Sequence, residues 1–394
     1  MSLQALCPSL SLSLLVCRDL RREIRMWTAM ADLLTAFPIR TFPPPRHRRR
    51  VSPLLRRSHG RSVGALEENV RELRLAYKLK PGQSRLFHRL PSGASMEVIY
   101  QKSTGVVDGP ERTADSSSSR PPLVFVHGSF HAAWCWAEHW LPFFSGAGFD
   151  CYAVSLIGQG ESDLPKGNAT CTLQTHTRDI ADFIQKEVKL PPVLVGHSFG
   201  GLIVQSYISH LRADCSTNHA TSLVTSGSEQ MLAGAVLVCS VPPSGNSGLV
   251  WRYLLTKPVA AIKVTLSLAA KAFANSLPLC KETFFSLTME DQVVQRYQEL
   301  MKQSSRVPIF DLRKLNSSLP VPSVPHDFTK VLVLGAGSDF IVDGEGLRET
   351  ARFYGVEPVC LERVAHDVML DCSWEKGAEV ILSWLKDMNR QRTS

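Results

Sequence analysis

Short apolar runs alternate along the chain with longer stretches whose apolar residues recur every three or four positions, and the two periods predict different elements. Six runs read as strands buried on both faces: Leu123 to Val126, Cys151 to Val154, Val193 to Val195, Ala235 to Cys239, Val331 to Leu334 and Val359 to Leu361. Between the second and third, Leu173, His176, Ile180, Phe183, Ile184 and Val188 line one side of a helix. Near the C-terminus Ala378, Ile381, Leu382, Leu385 and Met388 do the same, with Trp384 at the edge of the stripe. Arg85 to Leu90 and Met96 to Lys102 flank Pro91-Ser92-Gly93 and predict an antiparallel hairpin. The pattern is α/β, a mostly parallel sheet with helices on both faces.

Two stretches, Ser103 to Arg120 and Arg212 to Gln230, lack apolar periodicity and read as surface loops. Residues 244–328 interrupt the strand rhythm with helix-like stretches, Leu249 to Asn275 and Glu290 to Gln303. An insertion between consecutive strands is placed to serve as a lid, although ordinary helices packed on the sheet edge would read the same way. The apolar content of Leu249 to Leu279, broken by Lys257, Lys263 and Lys271, suits a greasy acyl or isoprenoid group and rest on a membrane surface.

Charge changes the picture at one end only. The 394 residues carry a net +8, but residues 1–61 hold 12 Arg, no Lys and only Asp19, Glu23 and Asp32 as acids. That leader is therefore +9, and the remaining 333 residues, with 32 basic and 33 acidic side chains, are −1. A body so nearly neutral has no basic groove for nucleic acid. Rich in Arg, poor in acids and broken by Pro43, Pro44, Pro45 and Pro53, the leader has the composition of an organellar transit peptide. Met30-Ala31 resembles an organellar start. A secretory signal, with Leu10 to Val16 as its apolar core, lacks the preceding charge and the small-residue cleavage pattern, and a solvated tail without an address stays open. No apolar run reaches the roughly 20 residues that span a bilayer. The ten cysteines form no C-x-x-C pair, and Cys151, Cys239 and Cys360 sit inside apolar runs, so neither a zinc site nor a disulfide framework is indicated and a reducing compartment is expected.

The candidate chemistry begins at Gly196-His197-Ser198-Phe199-Gly200, a G-x-S-x-G between the Val193 to Val195 strand and a helical stretch from Leu202 to Leu211. The bare pattern would arise by chance in roughly one chain in seven of this length. Its context makes it specific, because a serine on a tight strand-to-helix turn projects its hydroxyl above the sheet with the positive end of the helix dipole behind it. Serine needs a histidine to take its proton and a carboxylate to orient that histidine. Asp339 follows the Val331 strand and His366 the Val359 strand, giving the order Ser198, Asp339, His366. Asp343 lies further past its strand end, and Asp367, next to His366, would have to bend back on its own backbone to reach the ring. An oxyanion requires two backbone N–H donors. Phe199 offers one, and Ser129, in the turn His127-Gly128-Ser129-Phe130, the other.

Other chemistries lose ground on spacing. Gly335-Ala336-Gly337 would open a dinucleotide motif only with glycine at position 340, where Phe340 stands, and no G-x-x-x-x-G-K phosphate loop occurs. His127, His131, His139 and His197 share no metal-ligand spacing and read as packing or polar-turn residues. Trp134, Trp136 and Trp140 read as helix packing, one of them a candidate for the pocket wall.

The succession His127-Gly128-Ser129, Gly158-Gln159-Gly160-Glu161-Ser162, Gly196 to Gly200, Ser338-Asp339 and Ala365-His366-Asp367 resembles the loop signatures of the α/β-hydrolase fold family over residues 85 to 390. The stretch from Val126 to Trp136 is similar to plant carboxyl methylesterases and hydroxynitrile lyases. The resemblance, with the Arg-rich leader, implies a plastid-targeted plant member, with a cytoplasmic location as the alternative. It divides the chain into a leader (1–61) and one α/β-hydrolase domain (62–390) with a helical lid insertion at 244–328. It implies a serine hydrolase of carboxylic esters (lipid, prenyl or methyl) acting through a Ser198, His366 and Asp339 triad with Ser129 and Phe199 amides, and no cofactor or metal. The expected partner is a small or lipid-like ester substrate, with peripheral membrane contact and no nucleic acid. Two alternatives stay open: a lyase or carbon–carbon hydrolase using the same residues, and a non-catalytic ligand-binding protein on the same fold.

Overall fold

The computed structural model describes residues 77–104, 120–165, 167, 170–218, 232–256 and 258–393; the leader and most of the two polar insertions lie outside them. Eight strands, β1 (Gln83–Arg89), β2 (Ser95–Gln101), β3 (Leu123–Val126), β4 (Cys151–Val154), β5 (Val193–His197), β6 (Gly234–Val238), β7 (Val331–Ala336) and β8 (Val359–Leu361), form one sheet in the order β1-β2-β4-β3-β5-β6-β7-β8. The β1–β2 hairpin and the β2–β4 pairing are antiparallel, and every other neighbour is parallel. Parallel strands need long crossovers, which here are helices on both faces. The runs of β3, β5 and β6 are apolar without alternation because each face of the sheet is covered.

Along β3 the side chains divide between two cores. Leu123 and Phe125 pack with Trp136, Trp140 and Phe144 on one face, and Val124 and Val126 with Ile180, Phe183 and Tyr207 on the other. The first core takes α1 (Trp134–Ala137) and α2 (Trp140–Gly146) from the turn after β3, together with α11 (Trp374–Thr393). The second takes α3 (Leu173–Glu187) and α4 (Phe199–Asn218). Each large apolar side chain withdrawn from water contributes about 1.5–3 kcal/mol.

Register is what positions the site. Val126 pairs with Gly196, His197 with Val238, Val238 with Leu334, and Ala336 with Leu361. The C-terminal ends of five parallel strands therefore lie along one edge, and the turns that follow them, carrying residues 127–130, 198, 239, 339 and 366, are neighbours. In open α/β sheets this edge is where ligands bind.

Between β6 and β7 the chain forms α5 (Ser247–Thr256), α6 (Pro258–Ala269), a 3₁₀ turn (Ala272–Asn275), α7 (Leu277–Phe284), α8 (Asp291–Ser304) and α9 (Leu312–Ser317). What the sequence presents as one helix-like stretch from Leu249 to Asn275 is broken, since Pro258 has no N–H to continue α5 and its fixed φ suits the start of α6. A second difference lies at the polar segment beginning with Arg212, whose residues through Asn218 continue α4 instead of forming a loop. Apolar periodicity does not register such a helix end when its faces are polar.

Candidate active site

Ser198 sits between the last residue of β5 and the first of α4 with φ at 53°, in the left-handed region. For a residue with a side chain this costs about 1–2 kcal/mol. The bend is held by its surroundings: the Ser198 N–H donates to the Val238 carbonyl at 3.1 Å, and the Ser198 carbonyl accepts from Gly201 N–H at 3.0 Å and Val241 N–H at 3.1 Å. The flanking glycines are required by close approach, because a Cβ on Gly196 would stand 2.6 Å from the Gly200 carbonyl oxygen, and one on Gly200 would press on the carbonyls of Val126 and His127. Ser198 is 6% exposed. On the β3 side, a Cβ on Gly128 would lie 2.8 Å from that of Ser198, which brings the His127–Phe130 turn directly against the elbow.

His366 Nδ1 and Asp339 Oδ2 are 2.8 Å apart, and both side chains are 2% exposed. The other Asp339 oxygen accepts from the N–H groups of Ile341 (2.7 Å) and Val342 (2.9 Å), which fixes the carboxylate plane. Burial alone would push the His366 imidazole down, but the adjacent Asp339 charge outweighs it and holds the ring above the ordinary histidine value. With Nδ1 occupied, Nε2 is the nitrogen left for a substrate or for Ser198. Among the described residues no hydrogen bond joins Ser198 Oγ to His366, as is common before substrate tightens the arrangement. The N–H groups of Ser129 and Phe199 donate to no protein acceptor among the described residues. The Phe199 amide directly follows the serine in the chain, and the Ser129 amide belongs to the turn packed against it.

The rival carboxylates are placed elsewhere. Asp343 caps α10 (Gly344–Tyr354) and binds Arg252 through two bonds of 2.7 and 2.8 Å. Asp367 makes no hydrogen bond to the His366 ring among the described residues; its Oδ2 meets His131 Nε2 at 2.9 Å, both groups fully buried. His131 Nδ1 in turn lies 2.8 Å from the Ser129 carbonyl. Both ring nitrogens of His131 thus face oxygen atoms, and burial would raise the Asp367 carboxyl, but the nearby histidines outweigh it and hold the group below the usual carboxylate range. This buried pair ties the turn that carries the Ser129 amide to the loop that carries His366. Sequence spacing could not reveal it, because the partners are 236 positions apart.

His197 Nε2 donates to the His366 carbonyl at 3.0 Å, and burial pushes this ring well below the ordinary value. His127 accepts from Leu156 N–H at 3.0 Å through Nε2 and is pushed down by burial to about 3. Both hold turns in place. Trp136 and Trp140 are wholly buried core residues, whereas Trp134 donates from its indole to Ser304 Oγ at 2.9 Å, linking the β3 turn to α8.

Two groups of potential metal donors converge within 4.8 Å, namely His197, His366 and Asp367, and Cys239, Asp339 and His366. The donor chemistry fits a cation poorly. Burial drives the Cys239 thiol well above its ordinary value, away from the thiolate a metal needs, and both groups share His366, whose Nδ1 is engaged by Asp339. Cys239 escaped the sequence reading as anything but a strand residue. Its φ of 43° at the end of β6, beside Asp339, marks it as part of the site's framework.

Residues 123–380 match the pattern of the Alpha/beta hydrolase family. Protein phosphatase methylesterase 1 of Mus musculus is 27% identical over 131 residues, 32% of this chain and 34% of that protein. The pFDCC methylesterase MES16 of Arabidopsis thaliana is 38% identical over 83 residues, 20% of this chain and 30% of that protein. The chain thus spans about a third of the length of the curated relatives it matches. Among solved structures, the esterase of Exiguobacterium antarcticum superposes with a TM-score of 0.53 at 19% identity, over 77% of this chain and 100% of that one, a likeness of fold.

Proposed function

The chain belongs to the alpha/beta hydrolase family, and from that premise we propose that it is a serine hydrolase of carboxylic esters, with Ser198 as nucleophile, His366 as proton shuttle and Asp339 as the group that orients it. The observation that carries the reading is the 2.8 Å contact between Asp339 and His366 Nδ1, buried beside a serine held on a left-handed elbow. His366 Nε2 takes the Ser198 proton as Oγ attacks the ester carbonyl. Negative charge then develops on the carbonyl oxygen, where the Ser129 and Phe199 amides receive it. Collapse of the tetrahedral species breaks the bond to the alcohol oxygen, which takes the proton from His366. Water, deprotonated by the same ring, attacks the acyl-serine, and the acid leaves with Ser198 restored. Two of the relatives above are named methylesterases, which supports a methyl ester as the substrate.

The test is a panel of methyl esters assayed for equimolar acid and alcohol, since a lyase would release no such pair. The pH profile adds a second reading of the same reaction. His366 must be neutral to accept the proton, and Asp339 keeps it protonated to higher pH, so kcat/KM is expected to fall as pH drops through a midpoint above 6.5. A profile flat across that range contradicts the assignment.

We also propose that the α5–α6 face rests on a lipid surface. Trp251 and Leu255, one turn apart on α5, and Val259 at the start of α6 are 39%, 75% and 70% exposed. No helix among the described residues is long and apolar enough to cross a membrane. Replacing Leu255 and Val259 by glutamate is expected to reduce co-sedimentation with phosphatidylcholine vesicles; unchanged sedimentation overturns the contact.

A further inference from the structure

Lys271 is held differently from two neighbouring lysines that carry ion pairs. Lys263 and Lys281 are paired with Glu282 and Asp291, each at 2.8 Å. Lys271 Nζ instead lies 3.1 Å from the Ser305 carbonyl and 3.5 Å from Ser305 Oγ, both neutral acceptors, and among the described residues no carboxylate pairs with it. An ammonium has three N–H donors, so at least one is unspent. Burial pulls its pKa down, the mark of a cation that has lost water without gaining a counter-charge.

Its position is fixed from two sides. The backbone at Lys271 is left-handed (φ 50°, ψ 33°), a conformation that glycine would adopt with less strain and that persists in other residues only where surrounding contacts hold it. The ammonium sits 5.7 Å over the ring of Phe130, the residue after Ser129 and itself left-handed at φ 69°. Ser305 is bridged to Gln159 in the loop after β4. The charge is thereby held against the turn after β3, whose Ser129 amide is proposed above to receive the oxyanion.

We propose that Lys271 recognises an anionic group on the substrate, so that the preferred esters carry a free carboxylate on the acyl chain. This rests on the hydrolase reading and narrows its substrate class. A carboxylate would supply the counter-charge that the protein withholds, through a charge-assisted hydrogen bond, whereas a neutral ester leaves the ammonium as it is.

The experiment compares the monomethyl esters of succinate, glutarate and adipate with their dimethyl esters. The parent is expected to show a higher kcat/KM for the monoester in at least one pair, and Lys271→Met to lower that monoester-to-diester ratio by about tenfold or more, with Lys271→Arg retaining it. A purely structural lysine would move both esters together and leave the ratio unchanged, which overturns the proposal, as does a parent that prefers the diester in every pair or cleaves neither ester while its Ser198 is reactive. A binding arm uses Ser198→Ala protein, which cannot consume the ester: monoester is expected to raise Tm, and adding Lys271→Met to abolish the shift. If Ser198 proves unreactive, the hydrolase reading falls, and this Tm comparison alone decides the anion site.

Discussion

Ser198→Ala is expected to lower kcat/KM toward a methyl ester by ~10⁴-fold or more while shifting Tm by less than about 4 °C. The reason is local. Removing Oγ deletes the only atom that would form the acyl intermediate, yet the bonds holding the elbow run through the backbone of Ser198 to Val238, Gly201 and Val241 and survive the change. Some rate above that in water should persist, because the Ser129 and Phe199 amides still await an oxyanion. Steady-state assay and a thermal melt on the same preparation check both halves. A variant within tenfold of the parent would show that the chemistry runs without this hydroxyl.

Asp339→Asn is expected to cost ~10³- to 10⁴-fold in kcat with little loss of fold. The asparagine oxygen can still accept from Ile341 and Val342, so the loop after β7 keeps its shape. Its NH₂ group then faces His366 Nδ1, where an acceptor is needed. The ring would adopt the opposite tautomer, with a proton on Nε2 and no capacity to take one from Ser198. Loss of the carboxylate also removes the main influences that raise the His366 pKa, leaving only the Asp367 charge to oppose the lowering by burial. The residual activity should therefore decline at lower pH than in the parent. Activity retained within tenfold, or a midpoint displaced upward, contradicts this role.

Much of this site was legible in the chain because its parts sit where strand rhythm breaks. Fully buried parallel strands are short apolar runs, and a serine, an aspartate and a histidine at the ends of three of them are chemically conspicuous. The runs misjudged strand ends by one or two residues, as at His197 and Gly234, since backbone pairing continues past the last apolar side chain. Partnerships across long separations were not legible. In the sequence Asp367 reads only as a competitor for Asp339, whereas in the fold it meets His131, 236 positions earlier in the chain. Lys271 read as an interruption in an apolar stretch. Its significance rests on what it lacks, an acidic partner, and on a backbone conformation that no periodicity encodes. Likewise the broken helices between β6 and β7 share an apolar bias that does not mark where each one stops.

The central claim is that Ser198 is activated by His366. The most direct measurement is mass mapping of the protein after exposure to a fluorophosphonate, which forms a stable adduct only with a nucleophilic serine. The account predicts a single stoichiometric adduct on the peptide containing Ser198, abolished in His366→Ala. An intact protein with no adduct, or modification of a different serine, would contradict it.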